Sequence, residues 1–322
     1  MARSSSKRDE DLSLAIRAAW LHYAGGLTQA DVAKRLGVTG VKAHRLITRA
    51  NQEGVVKVTI DGEIAECVAL EMAISERFGL QYCEVVPELN EESLPTRALS
   101  IAGARFLNRE ILSGANELIG VGHGRTLSAS VSQLPRMDAN GVRFVSLLGG
   151  LTRNFSANPH DVMHRMAEKT GAESYVMPVP FFANSIEDRE VLLAQRGVSD
   201  VMQMAEQSKL KFVGIGTVEP GAQLVSSGMV EQEEIEEVKA HGGVGELLGH
   251  FFNDDGESLE TSLTARTISV GLSDLKNSRI VAVAGGKGKA RAIGSILMSG
   301  LLSGLITDER TANALLNFNH HD

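Results

Sequence analysis

At 322 residues, with 43% apolar and 22% charged side chains, the chain has the composition of a globular protein and the length for two domains. Its two cysteines, Cys67 and Cys83, exclude a disulfide framework. No run of about 18 apolar residues exists to span a membrane, and the N-terminus lacks the apolar core of a signal peptide, so a cytoplasmic location is expected. The net charge of −8 is uneven: residues 1–57 hold ten Lys or Arg against five Asp or Glu, which leaves −13 for residues 58–322. A small basic segment can dock on a polyanion while an acidic body stays off it.

Residues 11–23, DLSLAIRAAWLHY, set Leu14, Ala18, Leu21 and Ala15, Ala19, Tyr23 at helical spacing. After the break GGL, Thr28 is placed to cap a helix through Leu36, with Asp31 three positions on and Ala30, Val32, Ala33 and Leu36 as its inner face. Gly37 suits the following turn, and Thr39 caps a third helix to Gln52 with Val41, Leu46, Ile47 and Ala50 inward. Two short helices about a glycine turn form a helix-turn-helix pattern, whose second helix enters the major groove of double-stranded DNA by its N-terminal end. On this reading Thr39, Lys42, Ala43 and His44 face base edges, Arg45 and Arg49 meet phosphates or bases, and Thr28 and Gln29 meet a phosphate. Gly40 stands where a basic or polar side chain is more usual, and lowers helix propensity by roughly 1 kcal/mol relative to Ala. EGVVKVTID, 53–61, reads as a strand, a small wing or edge. The expected division is a DNA-binding domain at 1–60 and a larger domain at 61–322. Helix 63–79, with Ile64, Val68, Ile74 and Phe78 on one face, bridges the two or meets another subunit.

From there strands and helices alternate. Strands are expected at 80–88, 116–122, 142–150, 173–180, 210–216, 279–286 and 304–307. Helices are expected at 93–112, 124–134, 158–171 (Asn158 as cap, Pro159 in the first turn), 185–195, 199–208, 232–243, 289–300 and 308–317. The order predicts an α/β fold, a mostly parallel sheet with helices on both faces and ligands beyond the carboxyl ends of the strands. Four strands end in glycine loops: GVGHGRT at 120–126, LLGG at 147–150 (Gly149 and Gly150), GIG at 214–216 and AGGKGKA at 284–290. Gly122 and Gly124 allow close backbone approach to a ligand, Thr126 opens a helix whose amides favour an anion, and Arg125, Lys287 and Lys289 add cations. No GxxxxGK[ST] and no complete GxGxxG occurs, so no nucleotide or other cofactor is implied, and no Cys/His cluster has metal spacing. GHFFNDDGE at 249–257 offers an acid or amide for sugar hydroxyls.

The segments TQADVAKRLGVT, EGVVKV, GVGHGRTL, LLGG, VGIG, FFNDDG and VAVAGGKGKARAIGSIL…GLLSGLITDERTANALL together resemble the SorC/DeoR-type bacterial transcriptional regulators, over nearly the whole chain. The resemblance implies an effector domain related in fold to sugar-phosphate isomerases and glucosamine-phosphate deaminases. It implies sensing of a sugar, polyol or its phosphate, and assembly as homo-oligomers, dimers or tetramers, on operator DNA near catabolic genes. A repressor relieved by its effector is the favoured form. Carried over by residue, the phosphate loop falls on Gly122, His123, Gly124, Arg125 and Thr126, the loop lysine on Lys289, and the acid of the family's FFD pattern on Asn253. Asn253 is an amide where a carboxylate is usual, with Asp255 as the nearby acid that would compensate, and His123 replaces an apolar, aromatic or small residue. The alternative is a sugar-phosphate isomerase or deaminase on the same fold. For that chemistry only His123, Asp255 and Lys289 present themselves, and they form no catalytic motif.

Overall fold

Small side chains set the spacing of the N-terminal helices. α1 (Ala2–Ala19) runs into one π-helical turn, Trp20–Ala24, and is followed by α2 (Gln29–Leu36) and α3 (Gly40–Gln52). Their core is Ala15, Ala18, Ala19 and Leu21 against Val32, Ala33, Ala43, Leu46, Ile47 and Ala50, so methyl groups let the helices close tightly. The Thr28 and Thr39 hydroxyls cap α2 and α3, accepting the amides of Asp31 and Lys42 at 3.2 Å. Gly37 ends α2 at φ 63°, and the Val38 amide returns to the Ala33 carbonyl at 2.9 Å. Asn51 donates to the Tyr23 hydroxyl at 2.8 Å, tying α3 to the π turn. This is a helix-turn-helix.

The computed structural model describes residues 2–56, 65–89, 91, 94–152, 160–219 and 221–317, residues 2–10 by backbone alone. Two compact units divide at Gly62/Glu63. In the smaller unit several expectations change, and Ala30, expected on the inner face of α2, is exposed. The first helix begins well before Asp11. Val41, expected in the core, is 74% exposed, and Ala43, expected on base edges, is fully buried. The inward set of α3 is Ala43, Leu46, Ile47 and Ala50, an i, i+3, i+4, i+7 stripe. Residues 53–56 form no strand, and the rest of the expected wing lies outside the described residues.

The larger unit runs α4 (Ala65–Phe78), β1 (Tyr82–Val86), α5 (Thr96–Ser113), β2 (Leu118–Val121), α6 (Arg125–Gln133), β3 (Arg143–Ser146), α7 (Met163–Thr170), β4 (Ser174–Tyr175), α8 (Ile186–Leu193), α9 (Arg196–Gln207), β5 (Leu210–Val213), β6 (Gly216–Thr217), α10 (Gln223–Ser226), α11 (Gln232–Ala240), β7 (Gly245–Leu247), β8 (His250–Phe252), α12 (Leu272–Leu275), β9 (Arg279–Val283), α13 (Ala290–Met298), β10 (Gly304–Asp308) and α14 (Glu309–Leu316). Seven strands form a parallel sheet in the order β1-β10-β9-β5-β2-β3-β4. Alternate residues face opposite layers, as the two-residue period of a strand requires. Phe144, Phe212, Val281 and Ile306 pack with α5, α6 and α7. Val145, Val213, Ala282 and Leu305 belong to the core with α4, α13 and α14. Fully burying Phe106, Phe144 and Phe212 contributes about 2–3 kcal/mol apiece.

β6, β7 and β8 form a second, antiparallel sheet, and the 245–252 hairpin was not expected from the sequence. Its turn is Leu248-Gly249, both at positive φ (52° and 79°), where Asn-Gly is the usual signal. The strand expected at 210–216 breaks after Val213, and that expected at 173–180 keeps only Ser174 and Tyr175 as strand. α7 starts at Met163, whose amide is taken by the Asp161 carboxylate at 2.7 Å; Asn158 and Pro159 lie outside the described residues. α4 packs on its own unit: Glu71 accepts the Val85 amide at 2.8 Å, and Arg77 donates to the carbonyls of Leu315 and Leu316 at 3.1 and 2.6 Å.

Two stability outcomes follow from these contacts. Gly103 lets α5 lie against α6: a Cβ there would run into the Ser130 hydroxyl, itself bonded to the Thr126 carbonyl at 2.8 Å. Gly103→Ala is expected to destabilise the larger unit by about 1–3 kcal/mol. Adding Ser130→Ala should restore part of it, both read from denaturation followed by circular dichroism. Thr39→Ala should cost the smaller unit about 1 kcal/mol and Thr39→Ser little. The melting of that unit can be followed alone through Trp20, the single tryptophan of the chain.

Candidate functional site

The chain steps from β2 to β3 in one direction across the sheet and from β5 to β9 in the other, so neighbours β2 and β5 flank a topological switch point. Loops leaving two such strands diverge and open a crevice beyond their carboxyl ends. A cleft of about 820 Å³, partly open to solvent, lies there. His123 to Thr126 line it from the end of β2, Gly214 to Thr217 from the end of β5, Gln223 and Ser227 from the α10 segment, Glu246 and Leu248 from β7 and its turn, and Lys289 from the loop before α13.

Gly124 has φ 134°, a conformation L side chains rarely adopt, and it delivers the chain into α6, whose first residues Arg125 and Thr126 line the cleft. The Arg125 amide points to the Gln223 side-chain oxygen at 3.5 Å. Gly122 packs close to Leu248 and Val213 and supports the loop from behind. His123 sits edge-on to Phe181 at 5.1 Å between ring centroids. Burial, and secondarily the neighbouring His160, lower its pKa to about 4, so the imidazole is neutral at physiological pH.

Glu246 is the residue that the sequence reading missed. Its carboxyl is buried, accepts the Gly249 amide at 2.6 Å, and occupies the space that any side chain at Gly216 would need. Burial raises its pKa to about 7 against the opposing pull of the Gly249 amide and Lys289. Lys289 donates to the Ile215 carbonyl at 2.6 Å, and burial, with Arg125 adding to it, lowers its pKa to about 8. The Leu248-Gly249 turn that holds Glu246 is itself held: Ser269 donates to the Leu248 carbonyl at 2.7 Å and Thr267 to that of Gly249 at 3.2 Å. A non-glycine residue at φ 52° beside a ligand-sized cleft is strain kept by its surroundings. The cleft thus offers a carboxyl poised near neutrality, a lysine, a guanidinium, hydroxyls and the N-terminus of α6. That set suits a small polyhydroxylated molecule, with or without an anionic group.

Of the predicted effector residues, His123, Gly124, Arg125, Thr126 and Lys289 come together in this cleft, with Gly122 just behind them. Gly149 and Gly150 do not line it. Gly149 packs against the Pro180 carbonyl, its amide bonded to Ile268, and the Gly150 amide bonds to Met177. Asn253 and Asp255 are also elsewhere, in a turn clasped to α13. Asn253 exchanges bonds with Glu257 at 2.9 Å, its carbonyl takes the Ser295 hydroxyl at 2.6 Å, Asp254 pairs with Arg291, and Asp255 is exposed. The cleft acid is seven residues earlier than Asn253. The signal for it was a lone Glu in the apolar run GVGELLGHFF, unreadable without the hairpin.

In the smaller unit Thr28, Gln29, Thr39, Lys42, His44 and Arg45 are all exposed. Arg49 is half-buried and paired with Asp11 at 3.9 Å and Glu53 at 3.8 Å, which binds α3 to α1. The outward ridge of α3, opposite its buried stripe, carries Val41 and Arg45.

Residues 62–317 match the family model Sugar-bind, described as "Putative sugar-binding domain". The chain is 63% identical over 308 residues, 96% of this chain and 98% of that protein, to the erythritol catabolism regulatory protein EryD of Brucella abortus. It is 34% identical over 309 residues, 94% and 92% of the two chains, to the transcriptional regulator LsrR of Klebsiella pneumoniae. The crystal structure of the full-length sorbitol operon regulator SorC from Klebsiella pneumoniae superposes with a TM-score of 0.69 over 95% of this chain and 99% of that one, at 24% identity, and shares its fold. The matches to these three proteins span both units, and all three are named as regulators. The chain therefore belongs to the SorC/DeoR-type sugar-binding transcriptional regulators, and it is a sugar- or polyol-responsive regulator rather than an enzyme.

Proposed function

We propose that this protein represses an operon for catabolism of a short polyol, and that erythritol or its phosphate, bound in the switch-point cleft, relieves the repression. The observation that carries the reading is the pairing of Glu246 with Lys289, Arg125 and the start of α6 in one cleft. A carboxylate accepts from neighbouring hydroxyls of a polyol, while the helix amides and cations take a phosphate or further hydroxyls. The relative whose printed name concerns erythritol catabolism, at 63% identity, supports a four-carbon polyol. The α2–α3 pair binds operator DNA, with Lys42, His44 and Arg45 at base edges and phosphates and Thr28 and Gln29 at a phosphate. Arg49 serves as the strut that orients α3. The protein works in the cytoplasm as a dimer or tetramer, which multiplies weak half-site contacts.

Effector binding is measured by calorimetry with erythritol, erythritol 4-phosphate and sorbitol on the purified chain. Glu246→Gln is expected to weaken the bound polyol about ten- to a hundredfold, the range for a lost charge-assisted bond. Hydroxyl donors need ionised Glu246, so affinity falls as pH drops below about 7, by up to tenfold per unit. For the phosphorylated form it also falls above about 8, where Lys289 loses its proton. The free polyol should show only the acidic limb, and Glu246→Gln should remove that limb. No binding of any of the three compounds overturns the effector assignment.

Arg45→Ala should weaken DNA binding and reduce the salt slope by about one, leaving effector affinity unchanged. Equal loss of both would count against a contact confined to α3.

A further inference from the structure

We infer that Val41 reads the methyl group of a thymine in each half-site of the operator. The inference rests on the DNA-binding reading above and supplies what that reading leaves open, namely the base feature met by the tip of α3. Val41 is 74% exposed in the first turn of the helix. An isopropyl group there gains nothing from its own unit, and a β-branched residue is not favoured in a helix on propensity alone.

Its direction follows from helix geometry. Buried Ala43, Leu46, Ile47 and Ala50 define the inward face. At 3.6 residues per turn the opposite ridge carries Val41, Arg45 and Thr48, spaced i, i+4, i+7. Val41 is therefore the leading side chain of the ridge, one turn ahead of Arg45. The rest of the first turn leaves it alone at the tip. The Thr39 oxygen accepts the Lys42 amide, and Gly40 has no side chain, with open space where its Cβ would lie. Backbone can therefore approach base edges closely at this point.

The surroundings select the partner. Lys34, Arg35, Lys42 and Arg45 are exposed on the same helix pair, so a polyanion rather than an apolar protein surface is the matching counterpart. On the major-groove edge every base pair offers donors and acceptors, and the thymine C5-methyl is the apolar group. An isopropyl group pressed on donors and acceptors would strip their water without replacing it. Pressed on a methyl it removes apolar surface from water.

The test uses the full chain and a randomised duplex library, from which wild type and Val41→Ala each select their preferred DNA. Val41 is exposed, so the alanine variant keeps the fold. Each thymine of the wild-type sequence is then replaced by uracil, which deletes the methyl and nothing else, and binding is read by fluorescence anisotropy at fixed salt. Wild type should lose about fourfold at one thymine per half-site, the weight of one buried methyl-sized group. Val41→Ala should select no thymine there, lose nothing on the uracil exchange and keep the wild-type salt slope. A wild type indifferent to every thymine methyl, or an equal loss in Val41→Ala, overturns the inference while DNA binding stands. A wild type that selects no sequence at all overturns it together with the reading on which it rests.

Discussion

The pairing of β2 with β5, in register from Ile119↔Leu210 to Val121↔Phe212, is the constraint on which the cleft depends. Both strands are buried on both faces, so their backbone groups are satisfied only by each other and by β3 and β9. The parallel register brings both carboxyl ends to the same edge. Because the chain leaves them in opposite directions, nothing fills the space between the departing loops. Every polar group of the cleft is placed relative to that gap.

Within the gap the arrangement is one of glycine making room for charge. Gly216 leaves the volume that the Glu246 carboxyl fills, and Gly124 turns the chain so that α6 presents its amides. The buried acid and the half-buried lysine are each satisfied by a backbone group, Gly249 N–H and the Ile215 carbonyl. Both are held near neutrality by desolvation, so their charge state responds readily to a ligand that brings donors or an anion. A neutral His123 on the rim adds hydrogen-bonding capacity without further positive charge.

The smaller unit solves a different problem, exposing cations while remaining folded on a core of ten small or medium side chains. It does so through local contacts. Threonine hydroxyls cap both short helices, Gly37 ends α2, and Arg49 joins α3 to α1 through Asp11. The outward ridge of α3 keeps Val41 and Arg45 exposed.

The sequence by itself determined the two-part organisation of charge, the two short helices about a glycine turn, the strands of the parallel sheet with most of their helices, and the glycine loop at 122–126. These are local properties: N-cap chemistry, hydrophobic period and glycine at strand ends are legible within a few residues. Tertiary structure alone decided the rest. Asn253 and Asp255 carry an acidic-looking motif, yet their turn is held against α13 by Ser295 and Arg291, away from the cleft. Glu246 looked like one charge in an apolar stretch, and only the Leu248-Gly249 hairpin, with a turn sequence that gives little warning, brings it to Gly216 and Lys289. Val41 and Ala43 exchanged their expected places because the buried stripe of α3 runs through Ala43, Leu46, Ile47 and Ala50, which leaves Val41 on the opposite side. For Glu246, Asn253 and Asp255 the deciding partners are residues distant in sequence, which a local pattern does not contain.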